Sequence, residues 1–272
     1  MENVWPIAAA PGDTRRAARD VAVTEGTYYL GLGFYSGPFE RALREILSET
    51  AGRFKYVVTP NVHHMVRLLD DRGTLWPLYE RAWRVFCDSR VLSRLARFEG
   101  LHLPVITGSD LTAQLVAQAA QKGLKIALVG PPAAALAALE QRYPGIDVEL
   151  ITPPMGFITS EAEVQRCVDF VVQAQAPLAL LAVGMPQQEI LAARIAEHPE
   201  ARGIGLCIGA SVDFLTGKQQ RAPVWIQKAG FEWLHRLLSD PRRLASRYLL
   251  ECPRIFYLIW RGRRTSRLGK LR

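Results

Sequence analysis

From residue 27 to residue 208, short apolar runs alternate with stretches of helical periodicity, and this alternation constrains the fold more than any other feature of the chain. The strand-like runs are 27–32, 56–59, 84–87, 104–107, 125–129, 147–151, 178–183 and 203–208. Between them lie helical patterns at 39–50, 61–71, 92–98, 110–122, 133–143, 161–174 and 187–197. Strands and helices taking turns predict a parallel or mostly parallel sheet covered on both faces. In such sheets ligands bind beyond the carboxyl ends of the strands, so the residues just after each run are the first candidates for chemistry.

The alternation stops near Gly209. Two helical patterns follow, 224–238 and 242–260, separated by Ser239-Asp240-Pro241, an N-cap residue and a proline at a helix start. The expected organisation is an N-terminal arm (1–25), an α/β domain (26–217) and a helical, basic appendage (218–272). Hydrophobic residues make up 49% of the 272 and charged residues 22%, which suits a chain with a sizeable core rather than a disordered one. No apolar run reaches the roughly 20 residues of a membrane-spanning helix. The first twenty residues lack a secretory pattern, so a cytoplasmic location is expected. The four cysteines are far apart, which fits reduced thiols rather than a zinc site or a disulfide framework.

Charge is unevenly placed. The net charge is +8, yet from Pro241 to Arg272 there are ten Lys or Arg against one acid, Glu251. This segment therefore carries +9 and the preceding 240 residues sum to −1. A neutral body with a basic end points to an anionic partner: phosphates, an anionic membrane surface or nucleic acid. No nucleic-acid-binding motif or basic patch marks the body, so nucleic acid is not expected.

Several strand ends carry candidate chemistry. Gly31 to Gly37 fits a loose dinucleotide-binding loop, but no acidic residue follows for a ribose, and an ordinary tight turn explains it as well. Gly130-Pro131-Pro132 opens a helix, where N–H groups and the dipole favour phosphate; a plain crossover turn is the alternative. Thr59 and Asn61 stand where a helix begins, as caps or as partners of sugar hydroxyls. His63 and His64 are adjacent, hence a poor metal pair on a helix. Asp88 follows a strand and is placed to act as a general base. No Asp-x-Asp motif appears. A departing nucleoside diphosphate would then rely on arginine forks, and Arg221, Arg236, Arg242, Arg243 and Arg247 are at hand.

At Arg221–Tyr248 these residues become recognisable. RAPVWIQKAGFEWLHRLLSDPRRLASRY resembles the C-terminal signature of the WecG/TagA/CpsF glycosyltransferases: Arg-Ala-Pro-x-Trp, Gly-x-Glu-Trp-x-x-Arg-Leu, Pro-x-Arg-Leu and Arg-Tyr. Gly184-Met-Pro-Gln-Gln-Glu189 and Gly209-Ala-Ser-Val-Asp-Phe-Leu-Thr-Gly217 are similar to two further family motifs. Thr59-Pro-Asn61, Asp88 and Thr107-Gly-Ser-Asp110 match its N-terminal half in order. The resemblance spans about residues 27–250. It implies an α/β, Rossmann-like, mostly parallel sheet with helices on both faces and a C-terminal helical appendage.

The implied activity is a metal-independent, inverting transfer from a UDP-sugar to a polyprenyl-diphosphate-linked saccharide in cell-surface polysaccharide synthesis, with no cofactor. By position Asp88 would be the base, and Thr59 and Asn61 would meet sugar or acceptor. Gln188 would lie at the donor's sugar or phosphate and Asp213 near the nucleoside. Arg236, Arg243 and Arg247 would close over the diphosphate, with Gly130 a further phosphate candidate. Relatives form oligomers. Two positions depart from the pattern: Ser89 follows Asp88 where glycine is frequent, and Val105 stands where many members have arginine. An oxidoreductase binding NAD(P) or a nucleotide sugar on a similar frame is the alternative reading. Beyond the signature, the aromatic segment 252–260 and the basic residues 261–272 suit the headgroup region on the inner face of a membrane.

Overall fold

The computed structural model describes residues 26–219, 222, 223, 225, 226 and 231–268; the side chains of Arg243 and of 262–268 fall outside that set. The expected arm 1–25, Arg221, Gly230 and the end of the basic tail also lie outside the described residues.

Two antiparallel strands, β1 (Gly26–Tyr29) and β2 (Leu32–Tyr35), form a hairpin. A single strand had been expected at 27–32. The chain instead reverses at Leu30 and Gly31, both with positive φ. Gly31 is therefore a hairpin turn and not the strand-to-helix loop of a dinucleotide site. Helix α1 (Phe39–Ser48) follows, burying Ala42, Leu43 and Ile46 at helical spacing.

The main sheet has six parallel strands: β3 (Lys55–Val58), β4 (Arg84–Val85), β5 (Ile126–Val129), β6 (Val148–Ile151), β7 (Leu178–Leu181) and β8 (Ile204–Cys207). Their order is β4-β3-β8-β7-β5-β6. Strands β5, β7 and β8 are buried along their whole length, as continuous apolar runs in the middle of a parallel sheet should be. The run at 104–107 contributes one bridge, Cys87 to Val105, because Pro104 has no N–H for a ladder and its neighbour β4 is two residues long.

Between the strands lie α2 (Val62–Asp70), α3 (Trp76–Glu80), α4 (Arg90–Phe98), α5 (Gly108–Lys122), α6 (Ala133–Arg142), α7 (Glu161–Ala174), α8 (Gln187–Glu197) and α9 (Ser211–Leu215). The short α3 has no counterpart in the sequence expectation. One apolar cluster fills each face of the sheet, the first under α2, α3, α4, α7 and α8, the second under α1, α5, α6 and α9. Chain β3 leads outward to β4, while β8, β7, β5 and β6 lie on its other side. The topological switch therefore falls at the carboxyl ends of β3 and β8, where a crevice is expected.

After α9 the chain is helical: α10 (Glu232–Ser239), α11 (Pro241–Ala245), a wide π turn at Ser246–Glu251 and α12 (Arg254–Leu268). Of the helix expected at 224–238, Trp225 and Ile226 are helical and α10 runs from Glu232, while Val224 and residues 227–230 lie outside the described residues. Helix α12 divides its faces. Ile255 and Ile259 are buried in the first core cluster, whereas Phe256, Tyr257 and Trp260 are each more than half exposed. Arg254 pairs with Asp70 on α2 at 2.9 Å, and His63 meets Glu251 at 3.0 Å. Among the described residues no helix is long and apolar enough to cross a membrane.

Candidate active site

A cleft of about 620 Å³ opens at the carboxyl ends of β3, β4, β7 and β8, with the appendage as its far wall. Helices α2, α4, α5 and α8 all begin at this cleft, so their positive dipole ends converge on it. That suits an anionic ligand, and phosphate above all.

Asp88 stands at the floor. Its backbone N–H donates to Pro60 O at 3.0 Å, which fixes the loop after β4 against the loop after β3. Ser89 then caps α4 by accepting from the N–H of Leu92 at 3.2 Å. Burial pushes the Asp88 carboxyl up to about 7, and Glu232 and Asp110 push the same way; Arg236 and the Gly108 N–H pull it down. Glu232 and Arg236 sit one turn apart on α10, so a single helix presents an acid and a base to the same carboxyl.

Thr59 lies beside Asp88 and is packed tightly against α5. A Cβ on Gly108 would come within 2.9 Å of Thr59 Oγ1, so this position requires glycine for space. Thr107 caps α5 through the N–H of Asp110 at 3.1 Å and donates its own hydroxyl to the Asp110 carboxylate at 2.6 Å.

Asn61 caps α2. Its Oδ1 accepts from the N–H groups of His63 and His64, and His64 Nδ1 accepts from the Asn61 N–H at 3.4 Å, closing a capping box. The same Oδ1 accepts from Arg247 Nη2 at 3.4 Å. Burial first, and then the nearby Arg247 charge, hold His64 well below the usual histidine range and lower His63 as well. Both rings are therefore biased toward the neutral form, with the Arg247 and Arg67 charges beside them.

Gln188 is only 3% exposed, and its amide is already engaged. Oε1 accepts from Gly209 N–H at 2.8 Å, and Nε2 donates to Glu189 Oε1 at 2.9 Å. Tyr79 OH donates to that same oxygen at 3.0 Å. Burial raises the Glu189 carboxyl, against the bonds from Gln188 and Tyr79, which lower it. Gln188 thus ties the loops after β7 and β8 together while also lining the cleft.

Of the residues singled out in the sequence, Thr59, Asn61, Asp88, Gln188, Arg236 and Arg247 share the cleft. Gly130 and Asp213 are absent from its lining. Gly130 has φ +123, and a Cβ there would meet Val183 Cγ1 at 2.8 Å, so close strand packing accounts for it. Asp213 faces Lys218 at 3.5 Å. The Arg243 side chain lies outside the described residues. Glu232, Arg90 and Tyr248 also line the cleft and had been given no role. Arg90 immediately follows the Asp88-Ser89 pair, and Glu232 and Tyr248 belong to the C-terminal signature; those positions were the available signals. Arg236 lies over the Phe214 ring at 5.4 Å and Arg247 over Tyr248 at 5.7 Å, which restrains both guanidinium groups.

The all-parallel sheet with helices on both faces and a cleft at its switch point define an α/β, Rossmann-like frame. The chain belongs to the glycosyl transferase WecG/TagA/CpsF family, whose sequence model matches residues 27–269. It is a glycosyltransferase.

Proposed function

We propose that this enzyme transfers a sugar from a UDP-sugar to a polyprenyl-diphosphate-linked saccharide with inversion at the anomeric carbon. The observation that carries the reading is the Asp88 carboxyl, pushed up to about 7 and facing Arg236 across one cleft. An acid with that value is half ionised near neutral pH, the best compromise for a general base.

In the proposed step Asp88 takes the proton of the acceptor hydroxyl as that oxygen attacks the anomeric carbon. The bond from that carbon to the diphosphate breaks on the opposite face. The charge that develops on the leaving UDP is neutralised by Arg236 and Arg247, with the helix N-termini adding to their field. Thr59 orients acceptor or sugar hydroxyls beside Asp88. Asn61 holds Arg247 in register, and Gln188 supports the floor. The donor set in this proposal omits Gly130 and Asp213, since neither lines the cleft. The helical segment from 218 onward is read as an appendage that completes the site. The exposed aromatic face of α12 and the basic residues after it are read as a peripheral contact with the inner face of the membrane, within cell-surface polysaccharide synthesis.

The test is a panel of UDP-sugars offered with a polyprenyl-diphosphate saccharide, products read by mass. A mass increment of one sugar, lost in Asp88→Asn, is expected. Full transfer by that variant overturns the assignment of the base.

A further inference from the structure

An apolar groove of about 270 Å³ runs between α4 and α12, lined by Leu95, Phe98, Phe256, Ile259 and Trp260, with Glu99 at its rim. Phe98 is 84% exposed, and Phe256 and Trp260 are each more than half exposed. Aromatic side chains clustered in a concave surface mark a binding site rather than incidental exposure.

The groove adjoins the cleft at one shared side chain. Phe256 lines both, and both are walled by α4 and α12. Helix α4 starts at the cleft with Arg90 and ends in the groove with Phe98, so the path between them is roughly 12 Å at a helical rise. Chemistry changes in order along it. Asp88 comes first, then Arg90 and the capped start of α4, then Leu95 and Phe98. The acid Glu99 is at the far end, away from the cleft. An amphiphile with a sugar, then a diphosphate, then a hydrocarbon chain has the same order. The outer end of the groove lies at Trp260, beside the exposed aromatic face of α12.

We propose that the α4–α12 groove holds the isoprenoid units nearest the diphosphate of the lipid-linked acceptor, with Arg90 on that diphosphate. This rests on the acceptor being a prenyl diphosphate, as proposed above. Recognition would then reach past the saccharide into the lipid, making the enzyme selective for the hydrocarbon as well as the sugar.

Two measurements test it in detergent micelles, where no bilayer contributes. The first compares acceptors carrying a prenyl chain with acceptors carrying a short alkyl chain. In Phe98→Asp the ratio of kcat/KM for the prenyl over the short-chain acceptor should fall roughly tenfold, the size expected when an aromatic contact with hydrocarbon is lost. Phe98 is exposed, so the substitution does not disturb the core. An unchanged ratio overturns the groove. The second photolabels the protein with a benzophenone-tagged farnesyl diphosphate and maps the adduct by mass. Adducts on 95–99 or 256–260 support the proposal, and adducts elsewhere overturn it. Groove labelling without turnover of any lipid acceptor would sink the lipid-linked acceptor proposed above while leaving a prenyl-binding groove standing. Turnover with labelling elsewhere would do the reverse.

Discussion

Arg247 Nη2 donates to Asn61 Oδ1 across 3.4 Å, joining the appendage to the loop that follows the first strand of the main sheet. Asn61 is at the same time the cap of α2, so one oxygen fixes a helix start and an arginine from far along the chain. Arg247→Ala should lower kcat/KM by about 10²–10³ if the guanidinium stabilises the leaving diphosphate, comparable to the loss of one preorganised donor elsewhere. Arg247→Lys should recover only part, because an ammonium cannot keep the planar fork. Steady-state kinetics with a single donor checks both.

The Asp88 value sets a pH profile. A carboxyl raised to about 7 is protonated below that pH and acts as a base above it. Thus kcat/KM of the free enzyme should rise with pH through about 7 and then level. Glu232→Gln removes a neighbouring negative charge and should move the midpoint down; Arg236→Ala removes a positive one and should move it up. Asp88→Asn should cost about 10²–10⁴ in rate.

Stability follows the opposite sign. A folded-state value above the unfolded one means that the native protein holds the proton more tightly, so Asp88 weakens the fold as pH rises from about 4 to about 7. Asp88→Asn should therefore be at least as stable as the wild type at pH 8. Thermal melts of the two proteins measure this, and they separate lost chemistry from lost structure.

Gly108→Ala places a methyl within 2.9 Å of Thr59 Oγ1. Thr59 must rotate or α5 must shift. Transfer should fall while the circular dichroism spectrum stays that of the wild type.

Gln188→Ala leaves the buried Gly209 N–H without its acceptor and takes one of two donors from Glu189 Oε1, Tyr79 OH remaining. A cost of about 1–3 kcal/mol is expected, read from urea denaturation.

Much of this arrangement was legible in the chain. The alternating pattern located all six sheet strands to within two residues at either end, and the carboxyl-edge rule led directly to Thr59, Asn61 and Asp88. What stayed hidden depended on distance or on local geometry. The reversal at Leu30-Gly31 puts a non-glycine residue at positive φ beside Gly31, so the glycine signalled a tight turn but not where the strand before it ended. The two-residue β4 was read too long, and 104–107 was read as a strand because apolar character alone cannot show that Pro104 breaks the ladder. The bonds of the Gln188 amide to Gly209 and Glu189 were not legible either, since a motif records which residue is present and not which partners its amide takes. The influence of Glu232 on Asp88 needs the appendage folded back over the sheet, and no spacing in the sequence expresses that.

Helix α10 carries both Glu232 and Arg236, the two appendage groups that bear on the proton of Asp88. The acidity of one carboxyl is therefore a gauge of where that helix sits. Moving α10 outward would hydrate Asp88 and remove both neighbours at once, returning it toward an ordinary aspartate, ionised but too weak a base. Proton affinity and closure become one variable, and a titration of Asp88 would read the position of the whole C-terminal wall.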